Sequence, residues 1–480
     1  MEHDATPHLA YTLALPAGVT VVEEGGEIRE IRAAGQQIAL RRATPGLRAA
    51  IEALGGEGVT ADGLAALVAE RDGAAGAAKL FYYLGRFAER GLLTYTVSWD
   101  GKRIATLVPA ATERVAKPVE PVTGARYGLS RFALMRCEAG RMVIESPLGF
   151  GRVVIHDGRV AALCHALSTP RTLAEAAQQV PGMPSSILGQ LAGLLLGIDA
   201  VTPEEAPGDV RAADLAGWSP TDLWFHMRSR QGRHDAPYGA TYPRLGVSEA
   251  APAIKPRMPG ETIPLHRPDL DAVMAADLPF SRVLETRTSH RRWGKHPIRL
   301  TELGEWLYRA VRVRSLNPRT DRRPYDATSR PYPGGGACYP LELYLIVNAC
   351  DGLAPGLYHH HAADHMLTRL SERTPRLDAL LARARGAMRA AEDPQVLVVV
   401  AARVQRTMWK YESMPYAAIL KDTGALYQTL YLVATAMNLA PCAVGGGDSE
   451  LFAAAAGLDP LVEPAVGEFV IGSRPDDGAP

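Results

Sequence analysis

Lys410 and Tyr411 stand side by side in Trp409-Lys410-Tyr411-Glu412, between an apolar strand-like run, residues 396–401, and a long apolar helix that leads to Gly445-Gly446-Gly447. A basic side chain beside a phenol, ahead of a glycine turn, suits proton chemistry next to a flat ligand. On an extended backbone neighbouring side chains diverge, so the pair needs a bend there. In an arbitrary chain the same dipeptide is more often a surface lysine beside a core tyrosine.

A second group lies upstream. Residues 278–286 are helical in pattern, and Arg287-Thr288-Ser289-His290-Arg291-Arg292-Trp293 follows. Arg287, Ser289 and Arg291 alternate, so on an extended segment they point one way. Two guanidinium forks and a hydroxyl converging on one spot suit a dianionic phosphate better than a carboxylate. By composition alone, a solvated basic turn is an equal reading. Arg474, after a final strand at residues 469–471, could add a third cation, although a lone arginine there is more often solvated.

The run Tyr332-Pro333-Gly334-Gly335-Gly336-Ala337-Cys338-Tyr339-Pro340 precedes an alternating apolar strand, residues 341–347. Its glycines let backbone N–H groups approach a planar ligand closely. It does not open a helix after a strand, so it is no dinucleotide-binding fingerprint. The histidines of residues 358–361, with His365, are not read as a metal site, because neighbours on a hairpin face opposite ways and no acidic ligand set accompanies them.

These groups need elements to hold them. After Tyr411 the helix carries Leu426, Leu430, Val433 and Met437 on one stripe and Tyr427, Tyr431 and Ala434 on another, the pattern of a core or interface helix. The N-terminal half reads differently. Short apolar runs at residues 19–22, 28–31 and 37–40 predict a small antiparallel sheet, Thr60 caps a helix through Val68, and Leu80, Leu84 and Phe87 recur at helical spacing. Residues 92–97 and 104–108 flank Asp100-Gly101 as a hairpin. Helices closed by a hairpin outline a winged helix, and the order returns with strands near residues 141–144 and 152–155, Thr169 capping residues 173–180, and a helix opened by Ser185. The first copy mixes Glu57, Asp62, Glu70, Asp72 and Glu89 with Arg71, Lys79, Arg86 and Arg90 and has no basic stripe, which disfavours DNA. Peptide recognition by strand addition and a purely structural appendage remain. Residues 218–242 mix aromatics with arginine and histidine, as a ligand surface or, more often, as an anchor onto the next domain.

The expected division is 1–111 and 124–205 as two winged-helix-like repeats, 206–268 as a junction and 269–480 as the domain carrying the chemistry; 480 residues exceed one ordinary core. With 52 basic against 52 acidic residues the net charge is zero, so nothing selects for nucleic acid or an anionic membrane. Five dispersed cysteines argue against disulfides and zinc and fit a reducing cytoplasm, and neither a signal peptide nor a membrane-spanning apolar run is present.

Together, Arg287-x-Ser289-x-Arg291, Pro333 through Tyr339-Pro340, Gly356-Leu357-Tyr358, Lys410-Tyr411 and Gly445-Gly446 resemble the nitroreductase-like flavoprotein superfamily, and more narrowly the streptolysin-type azoline dehydrogenases that act on ribosomally made peptides. The resemblance covers residues 218–474, and the N-terminal repeats resemble the peptide-clamp winged helices of the same pathways more weakly. It implies an α+β fold, a mixed antiparallel sheet flanked by helices and preceded by two small winged-helix-like domains, with FMN bound at a homodimer interface. Arg287, Ser289 and Arg291 match the phosphate-binding positions, with Arg474 a further match; Pro333, Gly334, Gly335, Gly445 and Gly446 fall where backbone borders the flavin ring. The family has serine where Gly334 stands, so only the backbone contact carries over there.

Lys410-Tyr411 matches the pair associated with azoline oxidation. Converting thiazoline or oxazoline to thiazole or oxazole removes a proton from one ring carbon and a hydride from its neighbour, the hydride passing to the flavin. A phenol near an ammonium is drawn toward phenolate, so Tyr411 is the candidate base and Lys410 its electrostatic partner. The implied partners are a precursor peptide and a cyclodehydratase, with oxygen as reoxidant. Two other readings stand: a nitroreductase or quinone reductase using NAD(P)H, for which the N-terminal repeats have no evident purpose, and a non-catalytic peptide-binding scaffold with a degenerate flavin fold.

Overall fold

Thr44 and Thr60, both extended, accept hydrogen bonds from the amides of Leu47 and Gly63 and so open the helices Pro45–Gly55 and Ala61–Asp72. The computed structural model describes residues 10–24, 27–33, 36–40, 43–110, 114–204 and 210–475. The polar start, residues 1–7, and residues 112–113 and 205–209 of the linker stretches lie outside the described residues. The chain divides into two units, Met1–Ala236 and Pro237–Pro480.

In the first unit, three antiparallel strands, Thr20–Glu24, Glu27–Ala33 and Gln36–Ala39, precede three helices, the third being Gly76–Glu89. Leu80, Tyr83, Leu84 and Phe87 line its buried face at helical spacing. The hairpin Thr94–Trp99 and Lys102–Pro109 turns at Asp100 and Gly101, whose φ of 50° and 66° are the two positive values that a type I′ turn requires.

The same order returns. Strands Leu134–Glu138, Arg141–Glu145 and Gly151–Ile155 precede helices Arg159–Ala166, Leu173–Ala177 and Ser185–Leu196. The first hairpin pairs directly with the second set, Lys102–Pro109 against Gly151–Ile155, and a seven-stranded sheet results. One hydrophobic cluster runs from Leu13 to Val201. The cap expected at Thr169 sits instead at Thr172, whose hydroxyl accepts from the Glu175 amide while the Glu175 carboxylate accepts from Thr172. The T-x-x-E spacing supplies both halves of a capping box, which Thr169 lacks.

The aromatic part of residues 218–242 anchors within the first unit: Trp224 donates Nε1–H to the Phe132 carbonyl at 2.8 Å, and Arg228 donates through Nη2 to both oxygens of the buried Glu145 carboxylate at 2.6 and 2.7 Å.

The second unit is built on a seven-stranded antiparallel sheet in the order Thr262–Pro264, Met366–Glu372, Gly356–His361, Leu341–Val347, Val396–Ala402, Ala465–Ser473, Leu439–Val444. Alternation sorts its side chains between two cores. Leu343, Leu345, Val398 and Phe469 pack under helices Leu300–Val311 and Pro415–Ala436. Tyr344, Ile346, Val399 and Val470 pack under Pro375–Met388 and Ser449–Ala456. Each fully buried aliphatic or phenyl side chain contributes about 1.5–3 kcal/mol. Among the described residues, no helix is long and apolar enough to cross a membrane.

Candidate active site

Strand Val396–Ala402 delivers the chain to a short helix, Val404–Met408, that two arginines fix in place. Arg406, 3% exposed, donates to the carbonyls of Cys338, Ala251 and Asp326 at 3.0, 2.7 and 2.9 Å, and Arg403 donates to Pro252 at 2.9 Å. Trp409 donates Nε1–H to the Ser248 carbonyl at 2.8 Å. The backbone then turns, the amides of Lys410 and Tyr411 both pointing to the Thr407 carbonyl at 3.2 and 2.9 Å. This is the bend that the pair requires. Residues 239–242 brace the turn: the Gly239 and Glu412 amides and carbonyls exchange bonds, the Tyr242 amide donates to the Lys410 carbonyl, and Thr241 donates to the Glu412 carboxylate at 2.6 Å.

Lys410 is buried, and its Nζ donates to the Tyr325 hydroxyl at 2.6 Å and to the Gly336 carbonyl at 3.2 Å. Tyr325 in turn donates to the Gly336 carbonyl at 2.7 Å. Lys410 Nζ also lies 4.9 Å from the Tyr411 ring centroid. Gly336 has a φ of 58°, and a Cβ there would stand 2.2 Å from the Tyr411 hydroxyl and 2.3 Å from Lys410 Nζ. Glycine is therefore demanded twice, by backbone conformation and by the Lys410 and Tyr411 side chains packed against it. The glycine run and Lys410-Tyr411, far apart in sequence, form one cluster.

Burial alone would lower the Lys410 ammonium, but the bond to Tyr325 and the neighbouring Cys338 and Tyr411 carry it above the ordinary lysine value. Tyr411 departs from expectation. Burial pushes its phenol up, and the opposing pull of Lys410 is smaller, so the net shift is away from phenolate. Proximity to the ammonium is visible in the sequence; the desolvation that outweighs it is not.

The turn Gly335–Ala337 is held from below by Asp422, whose carboxylate accepts from the Gly335 amide at 2.9 Å. Burial raises that carboxyl above its ordinary value. A Cβ on Gly334 would lie 2.9 Å from the Tyr339 ring, which accounts for glycine where relatives of the superfamily were expected to carry serine.

The second cluster surrounds edge strand Leu439–Val444. Helix Phe280–Thr286 ends at Arg287, and the His290 amide ties the following segment to the Pro441 carbonyl at 2.9 Å. Tyr431 organises the group: its hydroxyl accepts from the Ala443 amide at 2.7 Å and shares a 2.8 Å hydrogen bond with Ser289, while the Arg287 guanidinium lies over its ring at 5.1 Å. The Arg291 charge acts on Cys442, whose thiol burial nonetheless raises. Arg474 donates to Asn438 at 3.0 Å and, after burial, is the second cause depressing His290. Arg287, Ser289, Arg291 and Arg474 thus border one strand. Arg287 and Arg291 form no ion pair among the described residues.

Gly445 and Gly446 follow the end of that strand and are exposed, with open space where a Cβ would go; Gly447 is the tight position, since a Cβ there would fall 1.8 Å from the Glu468 carboxylate. Burial pushes Glu468 up to about 7.

The histidines serve the fold. His359 contacts Glu342 at 3.1 Å, His360 contacts His365 at 3.4 Å, and His361 contacts the Lys255 carbonyl at 3.1 Å. Among the described residues, no group of three or more His, Cys, Asp or Glu side chains is placed to hold a metal ion.

Sequence reasoning missed Tyr325, Asp422 and Tyr431. Asp422 did leave a signal, a lone carboxylate in phase with the buried Ala418 and Leu426 of an otherwise apolar stripe. Tyr431 was read only as apolar filling, and nothing around Tyr325 marks it.

Residues 284–473 match the nitroreductase family, residues 127–235 the cyanobactin oxidase ThcOx family, and residues 8–116 the ThcOx helix turn helix domain. The archaeal relative "Putative nitroreductase MJ1384" of Methanocaldococcus jannaschii is 30% identical over 186 residues, which are 39% of this chain and 85% of the relative. A nitroreductase-like crystal structure from Anabaena variabilis is 21% identical with a TM-score of 0.36, covering 52% of this chain and 45% of that one, so this chain spans under half of its length. A chain of the E. coli microcin synthetase McbBCD complex with truncated pro-MccB17 bound is 16% identical with a TM-score of 0.32, covering 56% of this chain and 99% of that one. The chain belongs to the nitroreductase family of oxidoreductases, and ahead of that fold it carries segments that match the ThcOx cyanobactin oxidase models.

Proposed function

We propose that the protein is an FMN-dependent azoline dehydrogenase, converting thiazoline and oxazoline rings of a ribosomally made precursor peptide to thiazole and oxazole. The observation that carries this reading is the packing of Lys410 and Tyr411 against Gly336, in a turn that opens on three glycines, Gly334 to Gly336.

The residues fit the cofactor. Arg287 and Arg291, without carboxylate partners among the described residues, and the Ser289 hydroxyl would hold the phosphate, with Arg474 beside them. Backbone at Pro333, Gly334 and Gly335, and at Gly445 and Gly446, would border the ring. When bound, FMN supplies the hydride acceptor; Tyr411 takes the ring proton, and Lys410 stabilises the phenolate that does so.

One helix supports a homodimer. Asp422 and Tyr431 stand nine residues apart on Pro415–Ala436, about half a turn out of phase at 3.6 residues per turn. The glycine turn held by Asp422 and the arginine cluster held by Tyr431 therefore face opposite sides of that helix, which favours a composite site in which each protomer supplies one half.

The N-terminal repeats would hold the peptide or a cyclodehydratase, the match to ThcOx segments being the support. Five free cysteines suit a reducing cytoplasm. Loss of ring hydrogens from an azoline peptide, read by mass spectrometry, tests the reading. Turnover of a free nitroaromatic or quinone with NAD(P)H and no peptide oxidation would support a reductase instead.

A further inference from the structure

We infer that Tyr325 is a positioning residue of the reaction: its hydroxyl, accepting from Lys410 Nζ and donating to the Gly336 carbonyl, fixes the lysine ammonium beside Tyr411. The inference rests on the reading of Lys410 and Tyr411 as the reacting pair.

Three hydrogen bonds close a ring of atoms: Lys410 Nζ to Tyr325 at 2.6 Å, Tyr325 to the Gly336 carbonyl at 2.7 Å, and Lys410 Nζ to the same carbonyl at 3.2 Å. An ammonium has three N–H donors, so the third remains for the phenol of Tyr411. The Tyr325 proton is committed to the carbonyl, which leaves its lone pairs for the lysine and makes it an acceptor rather than a competing donor. The ring itself is immobilised. Tyr325 is 5% exposed and packs with Trp409 and Tyr242 at centroid distances of 6.2 and 6.4 Å, the Arg406 guanidinium lying 5.9 Å over it. A side chain held this firmly sets the lysine rotamer instead of following it.

The charged and titratable groups facing Lys410 are Tyr325, Tyr411 and Cys338, with Arg406 behind Cys338 and Tyr325 and Asp422 beyond Cys338. None is a carboxylate in contact with the ammonium, so Tyr325 and the Gly336 carbonyl are its chief acceptors. Without the Tyr325 hydroxyl the buried ammonium loses its 2.6 Å hydrogen bond, the shorter of the two, and the neutral amine gains.

The test is Tyr325→Phe in the full chain, with two readouts. Competitive labelling of Lys410 by acetic anhydride across a pH series, without peptide, reports its titration midpoint directly. The expected result is a midpoint at least one pH unit lower than in the parent protein. For azoline oxidation the expected result is kcat reduced about tenfold or more, an unchanged KM, and an alkaline limb of the pH profile displaced in the same direction, at unchanged FMN content. An unmoved midpoint overturns the inference, and so does a shifted midpoint with unchanged kcat and an unchanged alkaline limb. Because labelling needs no turnover, absence of azoline oxidation in the parent protein would sink the proposed reaction while leaving the Tyr325–Lys410 coupling measurable. If the phenylalanine variant does not fold, 3-fluorotyrosine at position 325, a weaker acceptor on the same ring, is expected to lower the midpoint by a smaller step, and no step overturns the coupling.

Discussion

Asp422 and Tyr431 lie on one helix yet serve opposite sides of it, the first holding the Gly335 amide at 2.9 Å and the second the Ser289 hydroxyl at 2.8 Å. If the two sides belong to different composite sites, defects in them should complement. A heterodimer of one Arg287→Ala protomer and one Tyr411→Phe protomer then contains one intact site and should recover about half of the parent activity, since sites of this kind form by symmetry. Co-expression with two affinity tags isolates the heterodimer for assay. Activity no higher than that of the two variant homodimers would place both halves of a site in one chain.

Arg287→Ala removes a charge-assisted contact to the proposed phosphate, a loss of about 1.5–3 kcal/mol. FMN retained after gel filtration, read from the flavin absorbance, should fall about tenfold or more. Undiminished flavin content would show that the arginine cluster is not the phosphate site.

Tyr411→Phe should keep FMN and lose azoline oxidation by about a hundredfold or more. The sign of the pH dependence follows from the environment. Burial raises the Tyr411 phenol above its ordinary value, so near neutrality the proton-accepting phenolate is the minor form. Activity should therefore rise with pH toward the phenol's own midpoint, and Lys410→Ala, which removes the charge opposing burial, should displace the rise to higher pH. A flat profile through neutral and alkaline pH would remove Tyr411 as the base.

Gly336→Ala places a methyl group 2.2 Å from the Tyr411 hydroxyl and 2.3 Å from Lys410 Nζ, at a φ of 58°. Activity should fall at least tenfold, with a stability loss of about 1 kcal/mol or more from the positive φ. Thermal unfolding separates the two effects. Full activity in a folded variant would mean that Lys410 and Tyr411 need not hold this arrangement.

Glu468 offers a prediction about stability. Burial raises its carboxyl from an ordinary 4.5 to about 7, so between these values the folded chain binds more protons than the unfolded one. Its contribution is favourable below about 4.5 and is lost as pH rises through about 7. Glu468→Gln should flatten that decline and raise the melting temperature above pH 7. A parallel curve, merely offset, would show that Glu468 does not titrate in this window.

Local chemistry was legible in the sequence because it is carried by near neighbours. Thr60 with Gly63 and Asp100 with Gly101 each lie within a few residues, and each appears as read. The second cap slipped from Thr169 to Thr172 because two threonines compete and only the latter has glutamate three residues on. The supports of the site were not legible, since they are made by folding. Tyr325 meets Lys410 across 85 positions, Asp422 meets Gly335 across 87, and Ser289 meets Tyr431 across 142. The direction of the Tyr411 shift was hidden for the same reason, because burial is a property of the packed chain.

The central claim is oxidation of azoline rings by the Lys410-Tyr411 face. Mass spectrometry of an azoline-containing precursor peptide, incubated in air with the FMN-loaded protein and in parallel with Tyr411→Phe, tests it most directly. The predicted result is loss of two hydrogens for each ring with the parent protein and almost none with the variant. Rings left unchanged by a fully flavin-loaded parent protein, or oxidised equally by both, would contradict it.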